Sequence, residues 1–243
     1  MTEPEIRRSA TPQELAEDAA AALVAALHRV QAEGRVPAVA LTGGTIAGTI
    51  HECVAASPDA GRVDWSRVDV WFGDERFVPG GDADRNDDQA RRSLLDHLPF
   101  DPARIHPMPT SDGDHQDLAD AATAYGDELR SQGNGMFDVV MLGVGPDGHV
   151  ASLFPGYPQI DVDDAVAIGV TDSPKPPPER ISLTFSALNR SREVWFFVSG
   201  EGKAGAVARA LTEGTDVHDV PAVGVHGGER TVWFLDEDAA SRL

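Results

Sequence analysis

Three scarcities narrow the field before any motif is read. The 243 residues contain one cysteine, Cys53, so no intrachain disulfide can form, and no Cys/His spacing resembles a structural zinc site. A reducing compartment is expected. No stretch approaches 18 uninterrupted apolar residues, and Met1 to Ala10 lacks the basic start and apolar run of a signal peptide. The expectation is a soluble, cytoplasmic protein without a membrane partner. Lys and Arg are few: 20 against 40 Asp and Glu, a formal charge of −20. Nucleic acid is excluded as a main partner, because phosphate backbones are held by excess Lys and Arg, and so is a polybasic membrane anchor. The acidity does not mean disorder, since 41% of the residues are hydrophobic and 25% charged, the balance of a globular chain. One domain spanning residues 1–243 is expected.

Thr11-Pro12-Gln13-Glu14 reads as a helix start, with a capping threonine, proline at the first helical position and an acid at the third. Leu15, Ala19, Ala22, Leu23, Ala26, Leu27 and Val30 then recur at helical spacing, and the helix ends near Gly34. Val36 to Leu41 reads as a strand buried on both faces, and Thr45 to Ala56 as a helix. The chain is therefore expected to open α-β-α. Further strands are expected over Val68 to Phe72, Phe137 to Leu142, Ala165 to Val170, Ile181 to Thr184, Val194 to Val198 and Val232 to Leu235. Further helices are expected over Asn86 to Leu98, capped at its start, Leu118 to Arg130 and Gly202 to Leu211. This alternation predicts an α/β fold: a doubly wound, mainly parallel, Rossmann-like sheet with helices on both faces.

Ligands of open α/β sheets bind beyond the carboxyl ends of the strands, so the segments that follow strands carry the functional argument. Thr42-Gly43-Gly44-Thr45 lets the backbone turn tightly ahead of a helix N-terminus; it suits a phosphate, and equally a turn without a ligand. There is no Gly-x-Gly-x-x-Gly or Walker sequence at this turn, so neither a dinucleotide nor ATP is implied. Trp71-Phe72-Gly73-Asp74-Glu75-Arg76-Phe77 places Arg76 among aromatics, where a partly dry pocket strengthens bidentate contact with phosphate; charges at a strand end can also be simple solvation. Gly143-Val144-Gly145-Pro146-Asp147-Gly148-His149 puts a histidine on a glycine-lined loop after the strongest strand, able to act as general base and then acid, with Asp147 orienting it. Ser152 lacks a nucleophile elbow around it and reads as a serine at a helix start. Arg180 closes the proline-rich Ser173-Pro174-Lys175-Pro176-Pro177-Pro178-Glu179 segment, whose stiffness can hold it in place. Lys203 opens a helix, where a cation is disfavoured unless an anion binds nearby. No histidine pair stands at ligand spacing, and neither a metal nor a cofactor is expected.

Read in order, Gly73 to Pro79, Gly145 to Gly156 and Ser173 to Thr184 resemble the 6-phosphogluconolactonase family, whose fold is shared with glucosamine-6-phosphate deaminase and ribose-5-phosphate isomerase. The resemblance runs from Val36 to the last strand. It implies hydrolysis of 6-phospho-D-glucono-1,5-lactone in the oxidative pentose phosphate pathway. Thr42, Gly43, Gly44 and Thr45 with Arg76, Arg180 and Lys203 would hold the phosphate. His149 would activate water, oriented by Asp147, and backbone N–H groups of the glycine loops would stabilise the oxyanion. Asp74 would assist His149 or bind sugar hydroxyls. A deaminase or aldose-ketose isomerase is the enzymatic rival, but Phe154 occupies the place of the deaminase loop's glutamate. A sugar-phosphate sensor is the other rival; the acidic surface and the single helix before the first strand oppose it. A monomer or weak homo-oligomer is expected, acidic overall with one small positive pocket.

Overall fold

The computed structural model describes residues 3–133 and 135–243; of the stretch read for a signal peptide, Met1 and Thr2 lie outside the described residues. Strand β1 (Glu5–Ser9) comes first, so the chain opens β-α-β rather than α-β-α. Its sequence, EIRRS, is too polar to show a strand pattern; it holds an edge by parallel pairing to the last strand, β9 (Arg230–Asp236), and by an ion pair between Arg230 and Glu5. Helix α1 (Pro12–Ala32) starts where expected. The Thr11 hydroxyl accepts from the Glu14 N–H at 3.1 Å, and the Glu14 carboxylate accepts from the Ala10 N–H at 2.9 Å. Its apolar stripe from Leu15 to Val30 is buried.

The main sheet has the order β1-β9-β8-β5-β2-β3 and is parallel throughout. It comprises β2 (Ala38–Leu41), β3 (Asp69–Phe72), β5 (Phe137–Gly143) and β8 (Ser191–Val198) beside β1 and β9. Helix α2 (Thr45–Ala55) follows β2 and packs on α1. From β2 the chain winds outward to β3, and from β5 it winds the other way through β8 and β9. The strand order therefore reverses between β2 and β5, and this crevice is where such sheets bind ligands.

Two expected strands do not join that sheet. β7 (Arg180–Leu183) pairs antiparallel on one side with β6 (Ala167–Val170) and on the other with a short strand absent from the sequence reading, β4 (Asp74–Arg76). The step from β3 to β4 is the single residue Gly73, whose N–H bonds back to Leu41 O while its carbonyl accepts from Leu183 N–H. The small sheet is thus sewn to the carboxyl ends of β2 and β3. Helix α3 (Asn86–Ala90) continues as a π-helical turn, Arg91–Leu95. Its cap is not the asparagine: Arg85 stands at the N-cap position without a side-chain capping bond, and the carboxylate of Glu75 receives the N–H groups of Asn86 (2.7 Å) and Asp87 (2.9 Å). Helices α4 (Leu118–Gln132), α5 (Phe185–Leu188) and α6 (Ala204–Ala210) complete the chain. Among the described residues no helix is long and apolar enough to cross a membrane.

Candidate active site

A cavity of about 250 Å³ lies over the β2/β5 crevice. Five segments meet in it: Thr42, Gly43 and Gly44 after β2; Asp74 and Arg76 on β4; Gly143 to Gly145, His149, Ala151 and Phe154 after β5; Lys175, Pro176 and Arg180 around β7; and Lys203 ahead of α6. Asn86 from α3 completes the wall. Thr45 is set apart, lining two neighbouring cavities instead. Asp147 reaches the site through His149.

The β5 loop carries the histidine. Asp147 Oδ1 lies 2.6 Å from His149 Nδ1 and also accepts the His149 backbone N–H at 3.3 Å. Burial raises the Asp147 carboxyl, but the His149 hydrogen bond and charge outweigh it and hold it well below the usual carboxylate range. An ionised Asp147 fixes the proton on Nδ1 and leaves Nε2 as a base. The Phe154 ring packs on the imidazole with centroids 4.8 Å apart. Gly145 makes the arrangement possible, since a Cβ there would overlap both the imidazole and the Asp147 carboxylate. The loop spends two N–H groups on itself, Gly145 to His149 O and Gly148 to Gly145 O, so those two are not available to an oxyanion.

The DER triplet is sorted by strand geometry. Residues two apart in β4 share a face, so Asp74 and Arg76 both line the cavity while Glu75 turns inward, fully buried, to cap α3 and meet Arg85 at 3.8 Å. Asp74 Oδ2 accepts the buried Ser152 hydroxyl at 2.7 Å. Ser152 therefore anchors a carboxylate, and no helix starts at it. Arg76 Nη1 donates to Asp84 O and to Asn86 Oδ1, both at 2.6 Å, while its Nε is buried with no partner among the described residues. The aromatic wall is Phe154; Trp71 stacks on His106 instead, at 3.8 Å, and Phe72 and Phe77 lie in the core.

Arg180, 5% exposed, is held by carbonyls of its own proline segment: Nε to Pro177 O at 2.8 Å, and Nη2 to Lys175 O and Pro176 O. Burial pushes this guanidinium below its ordinary value and the charge of Asp74 opposes that shift. Lys203 sits in the 3₁₀ turn Glu201–Lys203 and donates to Val144 O at 2.6 Å. Burial, then the neighbouring Lys175, lower its pKa, with Asp147 acting against them. Four cations and one carboxylate thus share a small half-closed space in a chain of charge −20, and α2 begins beside it at Gly44 without a side-chain cap. Among the described residues no cluster of His, Cys, Asp or Glu could hold a metal ion.

Asn86, Lys175 and Ser152 were missed or misread. Asn86 stands at the start of a helix, where asparagine is ordinarily a cap, and nothing local distinguishes the two uses.

A doubly wound α/β sheet whose switch point holds an aspartate-oriented histidine beside a cluster of cations defines an enzyme. A family model described as glucosamine-6-phosphate isomerases/6-phosphogluconolactonase matches residues 10–233. The chain is 47% identical over 237 residues to 6-phosphogluconolactonase of Streptomyces coelicolor, spanning 94% of this chain and 90% of that one. It is 37% identical over 213 residues to 6-phosphogluconolactonase of Homo sapiens, spanning 85% and 80%. The solved 6-phosphogluconolactonase of Trypanosoma brucei superposes over the whole of both chains with a TM-score of 0.87 at 27% identity. A monomeric glucosamine-6-phosphate deaminase, 20% identical, shares the fold with a TM-score of 0.82. The chain belongs to the glucosamine-6-phosphate isomerase/6-phosphogluconolactonase family and is one of its hydrolases.

Proposed function

We propose that the chain hydrolyses 6-phospho-D-glucono-1,5-lactone to 6-phospho-D-gluconate, a step of the oxidative pentose phosphate pathway. The observation that carries the proposal is the 2.6 Å His149–Asp147 pair in a pocket walled by Arg76, Arg180 and Lys203. The three cations, with the uncapped start of α2, hold the phosphate and so fix the lactone carbonyl relative to His149. Nε2 of His149 takes a proton from water as the water oxygen bonds to the carbonyl carbon. The ring C–O bond then breaks, and the imidazolium returns the proton to the departing ring oxygen. Asp147 keeps the imidazole in one tautomer and stabilises its charged form. Asp74, its carboxylate held by Ser152, accepts hydrogen bonds from the sugar hydroxyls. The N–H groups of Gly145 and Gly148 are spent within the β5 loop and do not serve the oxyanion. A deaminase reading is opposed by Phe154, 2% exposed against His149, because no carboxylate stands there to assist ring opening.

The test is acid release from freshly generated lactone, measured above the spontaneous rate. His149→Ala is expected to lose about 10²–10⁴-fold of the acceleration while still binding 6-phosphogluconate. A wild-type protein that leaves the spontaneous rate unchanged refutes the proposal, and ammonia release from glucosamine 6-phosphate would favour the deaminase.

A further inference from the structure

We infer that Asn86 is a positioning residue, a side chain that ties the phosphate-side arginine to the sugar-side carboxylate. This rests on the lactonase reading of the pocket. Asn86 is 2% exposed, yet its amide is fully used on site groups. Oδ1 accepts from Arg76 Nη1 at 2.6 Å, and Nδ2 donates to Asp74 O at 2.8 Å and to Asp74 Oδ1 at 3.3 Å. The third neighbour is the turn after β2: a Cβ at Gly43 would overlap the same amide. Gly43 is therefore required for the room it leaves Asn86, beyond the tight turn it makes.

The geometry has a direct chemical meaning. Arg76, which lines the cavity, is clamped through one terminal nitrogen, by Asn86 and by Asp84 O, so its guanidinium is restricted to few headings. A guanidinium free to rotate would lose entropy on meeting the ligand, and the clamp removes that cost in advance. At the other end, Asp74 receives one donor per oxygen, Ser152 on Oδ2 and Asn86 on Oδ1, which leaves lone pairs aimed by two buried partners. Asn86 is itself held by its backbone N–H on the buried carboxylate of Glu75. Asp74 and Arg76 share one strand face, and a single amide from a different element sets the distance between what they bind.

The two bonds are separable by substitution. Asn86→Asp preserves an acceptor for Arg76 and removes the donor to Asp74; Asn86→Ala removes both. With the lactone as substrate, Asn86→Ala is expected to raise KM roughly tenfold, whereas Asn86→Asp leaves KM within about twofold of wild type. Both lower kcat, because a misplaced Asp74 misplaces the ring. In the Arg76→Ala background, Asn86→Ala is expected to add nothing further to KM. Equal KM values for the two Asn86 variants, or KM effects that multiply independently with Arg76→Ala, overturn the inference. If Asn86→Ala does not fold, the near-isosteric Asn86→Asp carries the test: an unchanged kcat, or a KM as high as that of Arg76→Ala, refutes the assignment. A wild-type chain that does not turn over the lactone removes the proposed function alone. The tie to Arg76 is then read as affinity for inorganic phosphate in the same variants, where loss in Asn86→Ala and retention in Asn86→Asp support it, and equal affinities overturn it.

Discussion

Acidification is expected to weaken the fold through one side chain, His51, which lies in α2 behind the pocket turn. It is 2% exposed, and burial pushes its imidazole down to about 4 from an ordinary 6.5. The bonding explains why. The Ser93 hydroxyl donates its proton to Gln89 O at 2.8 Å, so it can only accept from His51 Nδ1, 3.2 Å away. The proton is therefore on Nδ1, and Nε2 is buried without a partner among the described residues. Charging the ring would bury an N–H with nothing to receive it. The sign follows from linkage: between pH 6.5 and 4 the unfolded chain binds a proton that the folded chain refuses, so stability is full above 6.5 and falls as the pH drops. By pH 4 the loss is about 3 kcal/mol, or about 10 °C in Tm for a chain of this length. The assay is denaturant unfolding of wild type and His51→Asn at pH 7 and pH 4, compared as the difference between the two pH values. Asparagine retains the donor to Ser93 and cannot titrate, so the wild-type difference should exceed the variant's by about 3 kcal/mol. Equal differences would show that the buried ring does not resist its proton.

Other outcomes follow from the same geometry. Asp147→Asn removes the charge that stabilises the imidazolium while keeping an acceptor beside Nδ1, and kcat/KM in the lactone assay should fall about 10- to 100-fold, mainly through kcat. Lys203→Met should raise KM for the lactone by about 10-fold or more and flatten its dependence on salt concentration, since it deletes one of the pocket's cations. Glu75→Ala leaves the N–H groups of Arg76, Asn86 and Asp87 without their carboxylate acceptor and removes the buried charge 3.8 Å from Arg85, and should cost about 3 kcal/mol or more in urea unfolding.

Legibility in the chain followed the range of the interaction. The capping box at Thr11 and Glu14 and the apolar runs of β2 and β5 are local, so they were read to within a residue or two. The polar edge strand β1 left no pattern, because its partner β9 lies more than two hundred residues away and supplies the only reason for it to be extended. Glu75 read as one of three solvated charges; strand alternation in β4 turned it inward, and the start of α3 made it a cap. Ser152 and Asn86 are small polar residues with local explanations at hand, and both are committed to Asp74 instead.

The sequence by itself determined the class of fold, the strands that end at the rim and the loop chemistry of Asp147-Gly148-His149, since each depends on neighbours a few residues apart. Its acidity weighs against polyanionic partners but left open where the scarce cations would gather. Only the tertiary structure decided that Arg76, Lys175, Arg180 and Lys203 share one cavity while Thr45 stands outside it. It alone set β4, β6 and β7 apart as a second sheet that carries Asp74 and Arg76 over the β2/β5 crevice. The physical reason is that a side chain's heading depends on which strand pairs with which, and pairing across a hundred residues is settled by burial of the whole core rather than by any segment's own preference.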